Sequence, residues 1–191
     1  MLALIAVAQV SLAEEPADTL ALARDLSFSE SWQQAPPMLD KIAPLISPDR
    51  VREYAEFQLL RARHETRAGE SEAAIRRMQQ LLELDLPDDQ RSQALHSIAH
   101  ASVLLRDYER AFDGLDRALA LDLEEIDNEH RIPILNMAAY MFGRVGETGR
   151  ALEHGRRAIE LARDDGELRA ECISRQRVAP VLKWAERKDD A

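Results

Sequence analysis

The feature that most constrains this chain is an amphipathic helical pattern that recurs along it. In residues 108–122, YERAFDGLDRALALD, the apolar and small residues fall on one helical stripe: Ala111, Leu115, Ala118 and Leu119. A similar stripe lies directly upstream, at Leu95, Ile98, Ala99 and Ser102. Only a short break at Arg106-Asp107 separates the two stripes. Because the connection is so short, the two helices are predicted to pack as an antiparallel hairpin.

The same pattern occurs at least twice more, in residues 70–85 and 147–162. Alignment of the three stretches on their small residues matches Ala74, Ala111 and Ala151, whose separations are 37 (111 − 74) and 40 (151 − 111) residues. Helix pairs that recur with a period of this size are typical of α-solenoids, in which stacked repeats share one continuous core. We therefore predict an all-α fold.

The predicted organisation divides the chain into four parts. These are a signal-peptide-like segment (1–13), a degenerate N-terminal helical hairpin (14–47), three repeats (48–163) and a C-terminal capping helix (164–191). The repeats are expected to span residues 48–86, 87–126 and 127–163. Ser47 is predicted to cap the first helix of the first repeat, since Pro48 follows it at a position that suits a helix start.

The N-terminal segment has the composition of a secretory signal. Residues 2–12 are almost wholly apolar, and Ser11 and Ala13 supply small residues at the positions that a signal peptidase requires. The run is too short to span a bilayer, so no stable membrane span is expected. No Lys or Arg precedes it, and the alternative is an apolar helix packed on the repeats. The expected location is periplasmic or secreted, and otherwise cytoplasmic.

Composition supports a helical protein and disfavours a nucleic-acid partner. Apolar residues make up 46% and charged residues 31% of the chain, whereas aromatic residues make up only 5%, which favours helices over sheets. The formal net charge is −10, and a protein that neutralises nucleic-acid phosphates would normally be basic. Cys172 is the single cysteine, so the chain can form neither an intramolecular disulfide nor a cysteine-based metal cluster.

The aligned residues resemble the tetratricopeptide repeat family. The sequence motifs that carry the resemblance are Ala62…Ala74…Leu81…Leu84, Ala99…Tyr108…Ala111…Ala118…Leu121 and Ala139…Ala151…Ala158…Leu161, with turn glycines at Gly69 and Gly146. The usual glycine of the first helix is replaced by alanine, the first-helix tryptophan is absent and the period is longer than usual. The longer period is similar to that of extended repeats in exported sensory regions of bacterial signalling proteins. The resemblance implies a right-handed α-α superhelix of helix hairpins.

The resemblance also implies that the first helices of the repeats line a concave groove that holds a peptide. The stripe expected to face this groove comprises Glu56, Leu59, Arg63, Arg67, Gln93, His96, His100, Asn136, Tyr140 and Arg144. Seven of these are the predicted binding residues: Arg63, Arg67, His96, His100, Asn136, Tyr140 and Arg144. Such a groove would be neutral to basic and would suit an acidic segment or a C-terminal carboxylate, with arginine as a bidentate donor and asparagine as a backbone clamp. The alternative is an ordinary solvated helix face.

We therefore expect a non-catalytic scaffold that binds a protein or peptide partner, and the alternative is a sensory or regulatory module that acts with a separate bacterial signalling protein. The chain has no phosphate-binding glycine loop and no Gly-x-Ser-x-Gly turn, so an enzyme is disfavoured and no cofactor is expected. His96 and His100 are four residues apart and could form half of a metal site, but no third ligand is placed, so no metal is expected. Cys172 is expected to be buried.

Overall fold

The prediction of an all-α fold is confirmed. The computed structural model describes the backbone of residues 16–189 and the side chains of residues 16–183, and this part of the chain contains nine α-helices and no strand. The helices are α1 (Pro16–Ser27), α2 (Ala35–Ile42), α3 (Val51–Arg67), α4 (Ser71–Leu81), α5 (Asp88–Leu104), α6 (Tyr108–Leu119), α7 (Asn128–Arg144), α8 (Thr148–Asp164) and α9 (Leu168–Asp189). The predicted signal segment at 1–13 lies outside the described residues.

The helices pack both in consecutive pairs and in an alternating series. The pairs α3 and α4, and α5 and α6, each form a hairpin inside one of the ranges predicted for the repeats, and the hairpin of α7 and α8 extends one residue past the third range, to Asp164. In addition, α1 contacts α3, α3 contacts α5, α5 contacts α7 and α7 contacts α9. Helices α3, α5, α7 and α9 begin at residues 51, 88, 128 and 168, so their starts are 37, 40 and 40 residues apart. None of the described helices is long and apolar enough to cross a bilayer.

Four hairpin turns share one conformation, which explains how so short a connection reverses the chain. The residue after the helix cap has a positive φ in each: 85° at Gly69, 62° at Arg106, 80° at Gly146 and 72° at Gly166. In each turn the next backbone N–H donates to a carbonyl five residues earlier, as in the 2.8 Å bond from Glu70 N to Glu65 O. These are Schellman motifs, in which a left-handed residue satisfies the last carbonyls of the helix.

Small residues allow the helices of a hairpin to approach closely. Ala99 of α5 and Ala111 of α6 are both fully buried. A Cβ atom placed on Gly114 would lie only 3.1 Å from the carbonyl oxygen of Leu95 and 3.3 Å from the backbone nitrogen of Ala99. The backbone of α5 therefore lies directly against α6, and a larger side chain at this point would overpack the contact.

The prediction that Ser47 caps α3 is wrong. The helix begins at Val51, and residues 47–50 instead form a turn closed by a 3.1 Å hydrogen bond from Arg50 N to Ser47 O. The Ser47 hydroxyl accepts a hydrogen bond from the backbone N–H of Asp49, at 3.3 Å, within that turn. Proline at the second position favours a β-turn as well as a helix start, and here the turn is formed.

The prediction that Cys172 is buried is also wrong, because its side chain is exposed. The inward stripe of α9 contains Ser174, Val178 and Val181, which are 0%, 5% and 2% exposed. Cys172 is two residues from Ser174 and so lies on the opposite side of the helix. The hydroxyl of Ser174 donates to the Ala170 carbonyl at 2.9 Å, so this buried polar group is satisfied within its own helix.

Candidate functional site

An open cavity of about 980 Å³ lies between α3, α5, α7, α9 and the turn that joins α8 to α9. This volume is at the upper end of the range that is usual for ligand pockets. Its lining residues come mainly from helices that start each hairpin, and α9 supplies a further wall. The residues that line it are Arg63, His96, His100, Val103, Leu104, Asn128, Glu129, Ile132, Pro133, Asn136, Met137, Tyr140, Asp165, Glu167, Ala170, Ile173 and Arg177.

The cavity brings together five of the seven predicted binding residues, namely Arg63, His96, His100, Asn136 and Tyr140. Arg67 and Arg144 do not line it. Arg67 donates a 2.9 Å hydrogen bond to the carbonyl oxygen of Ser27, and it therefore ties α3 to the end of α1. The Arg144 guanidinium lies 4.8 Å from the ring centroid of Tyr108 and 5.8 Å from that of Tyr140.

One end of the cavity, the basic end, contains Arg63, His96, His100 and Arg177. The Arg63 guanidinium carbon lies 4.0 Å from the ring centroid of Phe28, and the Arg177 guanidinium carbon lies 5.4 Å from that of Tyr140. The two imidazole rings of α5 are stacked, with centroids 6.4 Å apart. Among the side chains that the structure describes, no carboxylate lies within 4.0 Å of either guanidinium. The basic end therefore has uncompensated positive charge.

Burial lowers the pKa of three basic groups at this end, Arg63, His96 and His100. Burial, with a smaller contribution from Arg67, lowers the pKa of Arg63 to about 10. Burial followed by the neighbouring His100 and Arg63 lowers the pKa of His96 to about 4. The pKa of His100 is lowered by desolvation, and then by Arg177 and Arg63. Both histidines are therefore neutral at pH 7, and the arginines carry the positive charge.

The opposite end of the cavity, the acidic end, contains Glu129, Asp165 and Glu167. A 2.9 Å hydrogen bond from Asn128 Nδ2 to Asp165 Oδ1 ties the first turn of α7 to the turn between α8 and α9. The predicted groove is neutral to basic, whereas the lining of this cavity also includes these three carboxylates. The stripe expected to face the groove has Asn136 as its first residue on α7. It therefore omits the first turn of α7 and the turn after α8, which supply the acidic residues.

Between the two ends, the lining is largely apolar apart from one buried amide. Ile132 and Met137 of α7 and Ile173 of α9 contribute to this middle section. Asn136 is only 8% exposed, and its Oδ1 atom is buried without a hydrogen-bond partner in the described structure. Buried polar atoms are almost always paired, and a rotation of the amide toward the cavity would let this oxygen, which is closed to water, accept a hydrogen bond from a bound molecule.

The His96–His100 pair has no third metal ligand nearby. Within the described residues, no group of three or more His, Cys, Asp or Glu side chains is placed to hold a metal ion. A zinc site needs at least three protein ligands, so the pair is better explained as part of the basic lining.

Four charged residues of the cavity were not predicted from the sequence: Glu129, Asp165, Glu167 and Arg177. The available signal was the repeat period. Continuing the 40-residue spacing from the start of α7 at residue 128 leads to residue 168, the start of α9. This spacing makes α9 the first helix of a further pair, and its cavity-lining residues, Ala170, Ile173 and Arg177, then belong to the same groove.

Comparisons with protein-family models, curated proteins and solved structures found no match to this chain.

Proposed function

We propose that the protein is a non-catalytic interaction scaffold that binds a peptide segment of a protein partner in the cavity between α3, α5, α7 and α9. The observation that carries the proposal is the pair of arginines in the cavity lining, Arg63 and Arg177, which have no carboxylate partner among the described side chains. The Asn136 amide adds to it, because its unpaired oxygen costs free energy in the empty protein and a peptide backbone N–H would satisfy that oxygen once the amide rotates toward the cavity.

The proposal includes a superhelical arrangement of the helix pairs, as the resemblance to tetratricopeptide repeats implies. Two observations support it. The odd-numbered helices from α1 to α9 contact one another in series, and α3, α5, α7 and α9 start at nearly constant intervals of 37 to 40 residues. In such an arrangement, these helices would form a shared concave surface, where the cavity would lie.

The basic end supports a negatively charged group on the partner, either an acidic side chain or a C-terminal carboxylate. Arg63 and Arg177 have no carboxylate partner among the described side chains, and both line the cavity. An arginine in a partly desolvated site can form a bidentate, charge-assisted pair with a carboxylate. This pairing would offset the free-energy cost of holding the Arg63 charge in a partly buried site of low dielectric constant.

Selection from a random peptide display library on the immobilised full chain tests the proposal. We expect enriched peptides, and we expect the affinity of the best of them to fall at least tenfold, about 1.4 kcal/mol, in Arg63→Ala. The matched control is Arg117→Ala, which removes an exposed arginine of α6 that lies outside the cavity lining and should leave the affinity unchanged. A selection without enrichment would overturn the proposal. So would enriched peptides that bind Arg63→Ala with the same affinity as the parent protein.

A further inference from the structure

We propose that the cavity selects an extended segment in which a cationic side chain and an anionic group lie about 16 Å apart, on either side of an apolar stretch. This inference rests on the proposed function, and it concerns the kind of peptide that the site accepts. It follows from the separation of charge along the cavity, from the lack of charge partners at either end and from the nature of the residues between them.

Both α7 and α9 run from the acidic end to the basic end. On α7, Glu129 and Tyr140 line the cavity eleven residues apart, which corresponds to about 16 Å along a helix. The Tyr140 ring is in contact with the Arg177 guanidinium at 5.4 Å and so marks the basic end. On the other side, Glu167 directly precedes α9, and Arg177 follows it by ten residues, or about 15 Å.

The charges at the two ends do not neutralise each other or find partners nearby. Among the described side chains, Glu129 and Glu167 have no cation within 4.0 Å, and the same holds for carboxylates around Arg63 and Arg177. A separation of about 16 Å is roughly twice the screening length at physiological ionic strength. Each end therefore attracts its own counter-charge, and a single ligand with both charges would satisfy them together.

The middle section favours an apolar stretch between the two charges. Ile173 lines the cavity between Glu167 and Arg177 and remains 41% exposed, so apolar surface is available to a ligand. Asn136 lies on α7 between Glu129 and Tyr140, where its amide, once rotated toward the cavity, would accept a hydrogen bond from the ligand backbone. An extended chain advances about 3.3 Å per residue and alternates its side chains, so the two charges should be four positions apart, the even spacing nearest to this distance.

Three synthetic peptides with blocked termini test this inference on the full-length protein by fluorescence anisotropy. The first has lysine and glutamate four positions apart with apolar residues between them, the second has the same composition with the charges adjacent, and the third has glutamine in place of both charges. We expect the first peptide to bind at least tenfold more tightly than the other two. A fourth peptide has a free C-terminal carboxylate in place of the glutamate side chain. Its affinity, compared with that of the first peptide, shows whether the basic end prefers an acidic side chain or a C-terminal carboxylate.

Charge reversal in the protein supplies a second readout. Arg177→Glu should weaken binding of the first peptide at least tenfold and should favour a version in which lysine replaces the glutamate. Arg76→Glu makes the same change on an exposed face of α4, outside the cavity lining, and should have little effect. Equal binding of the separated, adjacent and uncharged peptides would overturn the inference. If display selection still yields peptides whose binding depends on Arg63, the proposed function stands and only the inference about charge spacing fails. If no peptide binds, the inference and the proposed function both fail.

Discussion

Gly155 of α8 lies directly against Val178 of α9, with no room for a side chain between them. A Cβ atom placed on Gly155 would lie 2.2 Å from Val178 Cγ2 and 3.4 Å from the Cβ atom of Ala139 on α7. Glycine is therefore what allows α8 to pack against both neighbouring helices at this level. Because Arg177 is adjacent to Val178, the same contact positions one wall of the cavity.

We expect Gly155→Ala to destabilise the fold by about 2 kcal/mol, because the added methyl group overpacks a branched side chain that has little freedom to move. Urea denaturation measures the change. Gly149→Ala on the same helix is the matched control, since a Cβ atom there meets nothing within 4 Å. The control should be neutral or slightly stabilising, because alanine favours a helix more than glycine does. Equal stability of the two variants would contradict the close contact.

Arg106 occupies a position that glycine takes in three equivalent turns. Its φ of 62° is the one positive value at a non-glycine residue in the described backbone. The left-handed conformation costs an ordinary residue about 1–2 kcal/mol, and the greater freedom of glycine in the unfolded chain offsets part of the gain. Arg106→Gly should therefore stabilise the protein by about 0.5–1 kcal/mol in a thermal or urea melt. Arg106→Ala retains the unfavourable φ, so a similar gain in that variant would contradict the explanation.

A buried histidine, His64, and a half-buried one, His96, make the stability depend on pH. His64 Nε2 lies 2.8 Å from the Ser27 hydroxyl, which itself donates to the Ala23 carbonyl, so the imidazole must donate the bond. The pKa of His64 is lowered by burial, and then by Arg67, Arg63 and Arg61. The pKa of His96 is lowered from 6.5 to about 4, first by burial. Each histidine therefore binds its proton more readily in the unfolded chain than in the folded one.

The sign of the pH effect follows from these lowered pKa values. Stability is fully present above pH 6.5 and is lost as the pH falls below that value, because the unfolded chain then takes up more protons. Between pH 7.5 and 5.5, the shift at His96 alone should lower the free energy of unfolding by about 1 kcal/mol. Urea denaturation at the two pH values measures the loss, and His96→Gln should reduce it. Constant stability over this interval would show that the histidines are not desolvated in the fold.

Asn136 should contribute to binding while lowering stability. Asn136→Leu replaces a buried amide that has an unpaired oxygen with an apolar side chain of similar size. We expect the free energy of unfolding to stay constant or rise by about 1 kcal/mol, whereas the affinity for a selected peptide should fall at least tenfold. Denaturation and calorimetric titration of the same preparation measure both quantities. A large loss of stability would mean that the amide is needed by the fold itself.

The helices could be predicted from sequence because their signals are local. The stripe of 108–122 and the small residues aligned with Ala111 report on one helix face, and Ala111 is fully buried as expected. The start of α3 was misplaced because a Ser-Pro-Asp sequence suits both a helix cap and a turn. Cys172 was misplaced because α9 has a weak pattern, in which the buried stripe includes a serine and two exposed positions carry apolar side chains, Ile173 and Leu182.

The cavity was only partly predictable because its parts come from distant segments of the chain. Five predicted residues lie on helix faces that the repeat pattern identifies, and they line the cavity. The acidic end depends on Asn128, which bonds to Asp165 across 37 positions, and no local pattern indicates that contact. Arg177 joins the basic end through the packing of Val178 on Gly155, and this contact depends on the shape of two side chains rather than on the period of a stripe.

Amide hydrogen exchange with and without a selected peptide tests most directly whether the cavity is the binding surface. We predict slower exchange on binding in the segments that line it, in residues 96–104 of α5, 128–140 of α7 and 167–177 around the start of α9. Exchange in α4, α6 and α8, which do not line the cavity, should remain nearly unchanged. Protection confined to α4, α6 and α8 would contradict the proposed site.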